Sequence, residues 1–123
     1  MPPDLRKLAS NAVLAERFLK SMANARRLMI LCELDKGEAS VSALRRALAL
    51  GQSSLSQHLA KLRAEKLVKA RRESQTIHYS LADEKVSRAI ALLYDLFCSE
   101  SAAKVATGAK TKPQAKKKLT PES

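Results

Sequence analysis

The fold is decided by one stretch of the sequence, Gln52-Ser53-Ser54-Leu55-Ser56-Gln57-His58-Leu59-Ala60-Lys61-Leu62. Its leucines recur at i, i+4 and i+7, a spacing that places them on one buried stripe of a helix. The other face carries hydroxyls and amides that can reach base edges, with a lysine for phosphate, where a helix that merely faced water would usually carry Glu/Lys pairs. The stretch therefore predicts a DNA-recognition helix. Its candidate DNA contacts are Gln52, Ser53, Ser54, Ser56, Gln57, His58 and Lys61.

The flanking segments complete a known arrangement. Upstream, residues 41–48 have the pattern of a short amphipathic helix, and Ala49-Leu50-Gly51 supplies the turn of a helix-turn-helix. Downstream, residues 67–72 and 76–81 have the pattern of strands, joined by a three-residue connection, Glu73-Ser74-Gln75. This basic hairpin, or wing, favours a helix-turn-helix over the alternative of two adjacent structural helices.

The remaining chain predicts three further helices and a tail. We expect helices at about 8–22, 25–34 and 84–98, so that residues 1–98 form one mainly α domain with a small β-hairpin, a winged helix-turn-helix of order ααααββα. Residues 99–123 hold six lysines against two glutamates and no sustained apolar stripe, which predicts a disordered basic tail. The tail has two interpretations, a solubility extension and a non-specific phosphate arm.

Charge and composition point to a polyanionic partner. The 123-residue chain carries a net charge of +11, which favours nucleic acid over its rival, an anionic membrane surface. No apolar run approaches the length needed to span a bilayer, and no signal-peptide pattern follows the first methionine, so we expect a cytoplasmic protein. The few aromatic residues argue against a stacking platform for single strands and favour a reader of double-stranded DNA.

A basic ridge continues from the recognition helix into the hairpin. Six cations and one acid, Glu65, lie between positions 61 and 72, a pattern that indicates salt-sensitive contact with phosphates. The candidate DNA contacts of the hairpin are Lys69, Arg71, Arg72 and His78. A metal-ligand role for His78 is the weaker interpretation, because the only other histidine lies on the recognition helix.

The chain resembles the ArsR/SmtB repressors over roughly residues 8–98. The resemblance is carried by the element order, by Ser-Met-Ala-Asn-Ala-Arg-Arg-Leu-Met-Ile-Leu at 21–31 and by Ser-Gln-His-Leu-Ala-Lys-Leu at 56–62. It implies a homodimer formed through the first and last helices, binding to palindromic operator DNA, and release when an inducer binds. The broad apolar face of the predicted last helix is consistent with that dimer.

The positions that bind metals in members of this family carry other residues here. The Cys-x-Cys pair of the metal sensors is replaced by Ser40-Val41-Ser42. Asp83 is followed by Glu84-Lys85 instead of an Asp-x-His pair, and Leu96 stands near the place of a later ligand. Because soft and borderline metals need about four converging N or S donors, we predict no metal site and no cofactor.

The only two cysteines are Cys32 and Cys98, each on a predicted helix. By composition alone, both are most simply small buried hydrophobic residues. However, Ile30-Leu31-Cys32, the stretch 53–59 and Leu96-Phe97-Cys98 resemble the dithiol subgroup of the family, the persulfide and redox sensors of the SqrR, BigR and HlyU type. This resemblance implies that reactive sulfur species act as inducer, joining the two cysteines by a disulfide or polysulfide bridge.

Two other functions stay open at this point. One is a metal- or metalloid-responsive repressor that uses both thiols with a ligand such as Asp95 or Glu33. The other is a basic architectural or RNA-binding module whose cysteines are inert. An enzyme is not predicted, because the sequence has no paired base and nucleophile and no Gly-rich phosphate loop.

Overall fold

A computed structural model describes residues 4–98, which form six helices and three strands. The predicted winged helix-turn-helix, mainly α with a small sheet, is confirmed. Contacts divide the chain into two compact units between Val86 and Ser87, so the last helix begins in one unit and continues in the other. The predicted basic tail, 99–123, lies outside the described residues. The elements are α1 (Leu5–Ser10), α2 (Ala12–Met22), α3 (Ala25–Asp35), β1 (Ala39–Ser40), α4 (Val41–Leu48), α5 (Gln52–Ala64), β2 (Val68–Glu73), β3 (Thr76–Leu81) and α6 (Glu84–Cys98).

The single first helix predicted over 8–22 is wrong, because the chain breaks at Asn11 into α1 and α2. The Asn11 side-chain amide donates to the carbonyl of Lys7 at 3.0 Å, and its backbone N–H donates to the carbonyl of Leu8 at 3.0 Å. Asparagine competes in this way with the regular helical ladder, since its short polar side chain can bond the nearby backbone.

The helix-turn-helix has the predicted bounds. The Ser40 hydroxyl accepts a hydrogen bond from the Ala43 N–H at 3.1 Å and so caps α4. Leu44 of α4 and the three leucines of α5 are fully buried, which fixes the two helices against the same core. The buried apolar residues of the first unit are Met22, Ile30, Leu31, Leu34, Leu44, Leu55, Leu59, Leu62, Leu67, Val68 and Val86.

The turn between α4 and α5 contains a strained residue. Ala49 has φ 54° and ψ 41°, the left-handed conformation that glycine adopts without steric cost. Its N–H donates to the Arg45 carbonyl at 2.9 Å and thereby ends α4.

We predict that Ala49→Gly raises the free energy of unfolding by about 0.5–1 kcal/mol, because it relieves this strain. Urea denaturation followed by circular dichroism measures the change. Ala47→Gly is the matched control, since Ala47 is an exposed residue inside α4 and its replacement should destabilise by about the same amount. Equal destabilisation by both substitutions would contradict the prediction.

The sheet differs from the sequence prediction in two respects. Glu73 pairs with Thr76, so the hairpin turn is the two-residue Ser74–Gln75 and not the predicted three-residue connection. Ser74 takes a positive φ of 58°, as the first residue of a tight hairpin turn can. A short strand not predicted from the sequence, β1, pairs with β3 and gives the strand order β1-β3-β2.

No helix within residues 4–98 is long and apolar enough to cross a membrane.

Candidate nucleic-acid interface

The two faces of α5 differ as predicted, because one is apolar and buried and the other is polar and exposed. Leu55, Leu59 and Leu62 are at most 1% exposed and hold the helix in the core. On the opposite face Gln52, Ser53, Ser56, Gln57 and Lys61 are exposed, and Ser54 is half-buried at the edge. The helix therefore presents a row of amide, hydroxyl and ammonium groups on a rigid support, the chemistry needed to bond base edges and phosphates.

His58 occupies a different position on α5. It lies beside the leucine stripe, three residues after Leu55 and four before Leu62, and is half-buried. Burial, followed by the charges of Arg27 and Arg26, lowers the pKa of His58 below its ordinary value. A neutral imidazole near neutral pH follows, which can both donate and accept a hydrogen bond.

The basic ridge consists of exposed cations on α5 and the wing. Lys61, Lys69 and Arg72 are all exposed. None of them takes part in an ion pair with another residue of the described segment 4–98. These three side chains are therefore available to phosphates.

Arg71 is in a different situation, because carboxylates already bind its guanidinium. Nε donates to Glu38 Oε2 at 3.0 Å and Nη2 donates to Glu38 Oε1 at 2.8 Å. Nη1 donates to Glu73 Oε1 at 3.2 Å. These bonds hold the pKa of the Glu38 carboxyl below its usual value and raise the pKa of Arg71.

His78 belongs to the same cluster. It lies on β3, between Ser40 of β1 and Arg71 of β2 in the register of the sheet. Its Nε2 is 3.6 Å from Glu73 Oε1, and its side chain is 24% exposed. Two of the four wing residues predicted as DNA contacts therefore engage acidic groups of the protein itself.

The sequence reasoning passed over Arg45 and Arg46. Both are exposed on α4, where they line a shallow depression with Ser42 and Leu50. The first helix of a helix-turn-helix crosses the DNA backbone, so adjacent arginines on it are candidate phosphate contacts. The sequence did indicate this role, because two adjacent arginines follow Ser42 by about one helical turn.

The two cysteines occupy different units. Cys32 lies on α3 and is half-buried, whereas Cys98 is the last residue of α6 and is exposed. Within residues 4–98, no group of three or more His, Cys, Asp and Glu side chains is gathered as a metal ion would require.

The terminal helices carry exposed apolar side chains in unusual number. Contiguous exposed apolar patches mark interaction sites, whereas single exposed apolar residues are ordinary. On α1 and α2 these residues are Leu5, Leu8, Val13, Leu14 and Leu19, and on α6 they are Leu92, Tyr94, Leu96 and Phe97.

Comparison with known proteins identifies the class. Residues 24–70, which run from the start of α3 into β2, match the family model for bacterial regulatory proteins of the arsR family. The chain is 47% identical over 97 residues to the transcriptional activator HlyU of Vibrio cholerae, covering 79% of this chain and 90% of that protein. The chain belongs to the arsR family.

Solved structures agree with this assignment. Reduced HlyU from Vibrio cholerae superposes on this arsR-family chain with a TM-score of 0.71 at 47% identity, covering 76% of this chain and 99% of that one. The transcriptional repressor BigR from Xylella fastidiosa gives a TM-score of 0.76 at 33% identity, covering 80% and 100%. The resemblance seen in the sequence is confirmed, and the protein is a DNA-binding transcriptional regulator rather than an enzyme.

Proposed function

We propose that this arsR-family regulator is a homodimeric repressor that leaves its operator when a sulfur bridge joins Cys32 and Cys98. The observation that carries the proposal is the pair of cysteines, the only two in the chain, one on α3 and one ending α6. A disulfide that forms in the cytosol is usually transient or redox-sensing, because the glutathione pool keeps thiols there reduced. Similarity over most of the chain to BigR, a transcriptional repressor, supports the repressor role. HlyU, which is similar over a comparable range, is a transcriptional activator.

In this proposal the recognition helix α5 reads bases and the basic ridge binds phosphates. Gln52 and Gln57 have side chains suited to bidentate readout, since an amide can both donate to and accept from adenine. Lys61, Lys69 and Arg72 neutralise phosphates, which makes affinity depend steeply on salt. The proposed base-reading residues are Gln52, Ser53, Ser54, Ser56, Gln57 and His58. His78 is proposed as a further contact of the wing, on the face that also carries Lys69.

A homodimer would present two DNA-binding surfaces, one α5 and one basic ridge from each protomer. The exposed apolar residues of α1, α2 and α6 supply the contacts that a homodimer would bury. A two-fold symmetric dimer binds an inverted repeat, and its half-site centres lie about one helical turn, ~34 Å, apart. The partner of this regulator is therefore double-stranded operator DNA with palindromic character.

The proposed sensing reaction needs no metal ion, because each S–S bond that forms replaces one that breaks. A cysteine thiolate attacks the terminal sulfur of a persulfide R–S–S–H, the S–S bond breaks, and R–S⁻ leaves. The second cysteine thiolate then attacks the resulting cysteine persulfide, which forms the disulfide and expels hydrogen sulfide. Transfer of one further sulfur before closure leaves a trisulfide. Exposed Cys98 is reachable by such a donor.

The bridge acts on DNA through the protein scaffold. It would restrain α3, which precedes the helix-turn-helix, relative to the end of α6. If the bridged form holds the two recognition helices at an unsuitable spacing, operator affinity falls. A coupling free energy of about 1–3 kcal/mol changes affinity by about 5- to 150-fold.

A metal- or metalloid-responsive repressor is the second candidate, favoured only by the presence of two thiols. Titration of the reduced protein with zinc or arsenite, followed by DNA binding, separates the candidates. Release by metal alone would support the second candidate, whereas release by persulfide without metal supports the first. No thiol-dependent change with either reagent would leave a basic DNA-binding protein with inert cysteines.

We predict that Gln57→Ala lowers affinity for a selected operator by about 1–3 kcal/mol and leaves binding to random DNA nearly unchanged. The loss follows from removal of a bidentate base contact. Fluorescence anisotropy with both duplexes at several salt concentrations measures it.

Arg72→Ala is the matched control. It removes an exposed cation and should weaken binding to both duplexes alike, with a salt slope reduced by about one. Equal losses on operator and random DNA for Gln57→Ala would count against base readout by α5.

A further inference from the structure

Arg71 links the two outer strands of the sheet across the central one. It lies on β2, opposite His78 of β3, and its guanidinium reaches the Glu38 carboxylate just before β1. The pair is bidentate, with distances of 3.0 and 2.8 Å, and Glu73 adds a third bond at 3.2 Å. Glu38 is two residues before Ser40, the residue that caps α4. The side chain thus connects the wing to the segment that enters the helix-turn-helix.

We infer that Arg71 is a positioning residue, which fixes the wing relative to the helix-turn-helix, and is not itself a phosphate contact. The inference corrects the role that the basic ridge suggests for Arg71, and it rests on the proposed binding of DNA through α5 and the wing. Arg72, the next residue, remains the phosphate contact.

The guanidinium of Arg71 is already occupied by hydrogen bonds to carboxylates. Each of its three nitrogens already donates to a carboxylate oxygen. These bonds use three of the five N–H donors of the guanidinium. A phosphate could reach only the two remaining N–H groups, and it would then lie beside the carboxylates of Glu38 and Glu73. Bidentate arginine–carboxylate pairs are the stronger and better oriented class of such bonds.

Two acidic side chains also surround the positive charge of Arg71. The carboxylates of Glu38 and Glu73 lie against the guanidinium and offset its positive charge. They therefore weaken the attraction that Arg71 could exert on a phosphate.

The Arg71–Glu38 pair affects how firmly the wing is held in place. A two-stranded hairpin is marginally stable on its own, and β1 contributes only two residues to the sheet. The Arg71–Glu38 pair adds a side-chain tie between β2 and the start of β1. This tie sets where the wing tip, with Arg72, lies relative to α5, and so whether both can reach DNA together.

The test is a double-mutant cycle on DNA binding. A duplex is first selected from random sequence by the wild-type protein. Dissociation constants and their salt dependence are then measured for Arg71→Ala, Arg71→Lys, Glu38→Gln and the double variant Glu38→Gln/Arg71→Ala, with Arg72→Ala as the matched control. Circular dichroism checks that each variant is folded, which exposure of both residues leads us to expect.

A positioning role predicts that both single neutral variants weaken binding by about two- to fivefold, the range of one well-formed exposed ion pair. The double variant should be no weaker than either single one, because both remove the same tie. Arg71→Lys should resemble Arg71→Ala, since lysine keeps the charge but cannot bind bidentately. The salt slopes of these variants should equal that of the wild type, while Arg72→Ala lowers the slope by about one.

Three results would overturn the inference. They are wild-type affinity for Arg71→Lys, a lowered salt slope for Arg71→Ala, and an undiminished loss from Arg71→Ala in the Glu38→Gln background. Failure of the wild-type protein to select any duplex would instead refute the proposed sequence readout through α5 and the wing, and this inference with it.

Discussion

Cys32→Ser and Cys98→Ser should each bind the operator normally when reduced and resist release by a persulfide donor. Neither variant can close an intramolecular bridge, so the low-affinity state is inaccessible to both. In the wild type, the donor should lower operator affinity by up to about 100-fold, within the usual range of allosteric coupling. Fluorescence anisotropy measures release, and intact mass measures the bridge as added sulfur less two hydrogens.

The controls separate thiol chemistry from damage to the helices. Ala91→Ser introduces the same hydroxyl at an exposed position of α6 outside the apolar set and keeps both cysteines, so it should respond to persulfide like the wild type. Reduction with dithiothreitol should restore operator binding to the bridged wild-type protein. Normal release of either single cysteine variant would refute the bridge. A bridge that forms without any change in DNA binding would refute its role as a switch.

The sequence predicted the helix-turn-helix closely because its signals are local. The spacing of Leu55, Leu59 and Leu62 fixes both the buried stripe and the phase of α5, so the exposed polar face follows from the same pattern. Ser40 as the cap of α4 and the turn at 49–51 are also encoded within a few residues. The same locality explains why six elements of the fold were predicted within one or two residues of their observed ends.

Other features depend on side-chain hydrogen bonds that compete with the helix, or on partners that are distant in the sequence. The break at Asn11 was readable in principle, since asparagine bonds to nearby backbone groups, but an apolar pattern continued across it. β1 is only two residues long and exists through its pairing with β3, about 40 positions later. Two residues are too few to show the alternating hydrophobic pattern by which a strand is predicted from sequence.

The candidate site shows the same limit at the level of single residues. A count of charges places Arg71 with the other cations of the ridge, but its carboxylate partner Glu38 is 33 positions away in the chain. Likewise, His58 belongs to the recognition stretch by sequence, and its position beside the buried stripe brings the charges of α3 close to it. Composition predicted the basic surface, and only tertiary contacts distinguish cations that are available from those already paired.

Phe97→Glu should convert the protein to monomers and lower operator affinity by about 100-fold or more. Phe97 is 73% exposed on α6 in the protomer, so the substitution leaves the protomer core intact. In the proposed dimer, the same residue would be buried, and an unpaired carboxylate there costs several kcal/mol. Loss of the second half-site contact then removes the gain from bivalent binding. Analytical ultracentrifugation measures the oligomeric state, and anisotropy measures operator affinity.

Met29→Glu provides the matched control, because it places the same charge on an exposed apolar residue outside the proposed dimer helices. It should remain dimeric and bind the operator with nearly wild-type affinity. The Phe97→Glu monomer should still bind a single half-site weakly, since each protomer keeps its own α5 and wing. A Phe97→Glu protein that remains a tight dimer would show that dimerisation does not use this part of α6. A monomer with undiminished operator affinity would show that the dimer is not the DNA-binding unit.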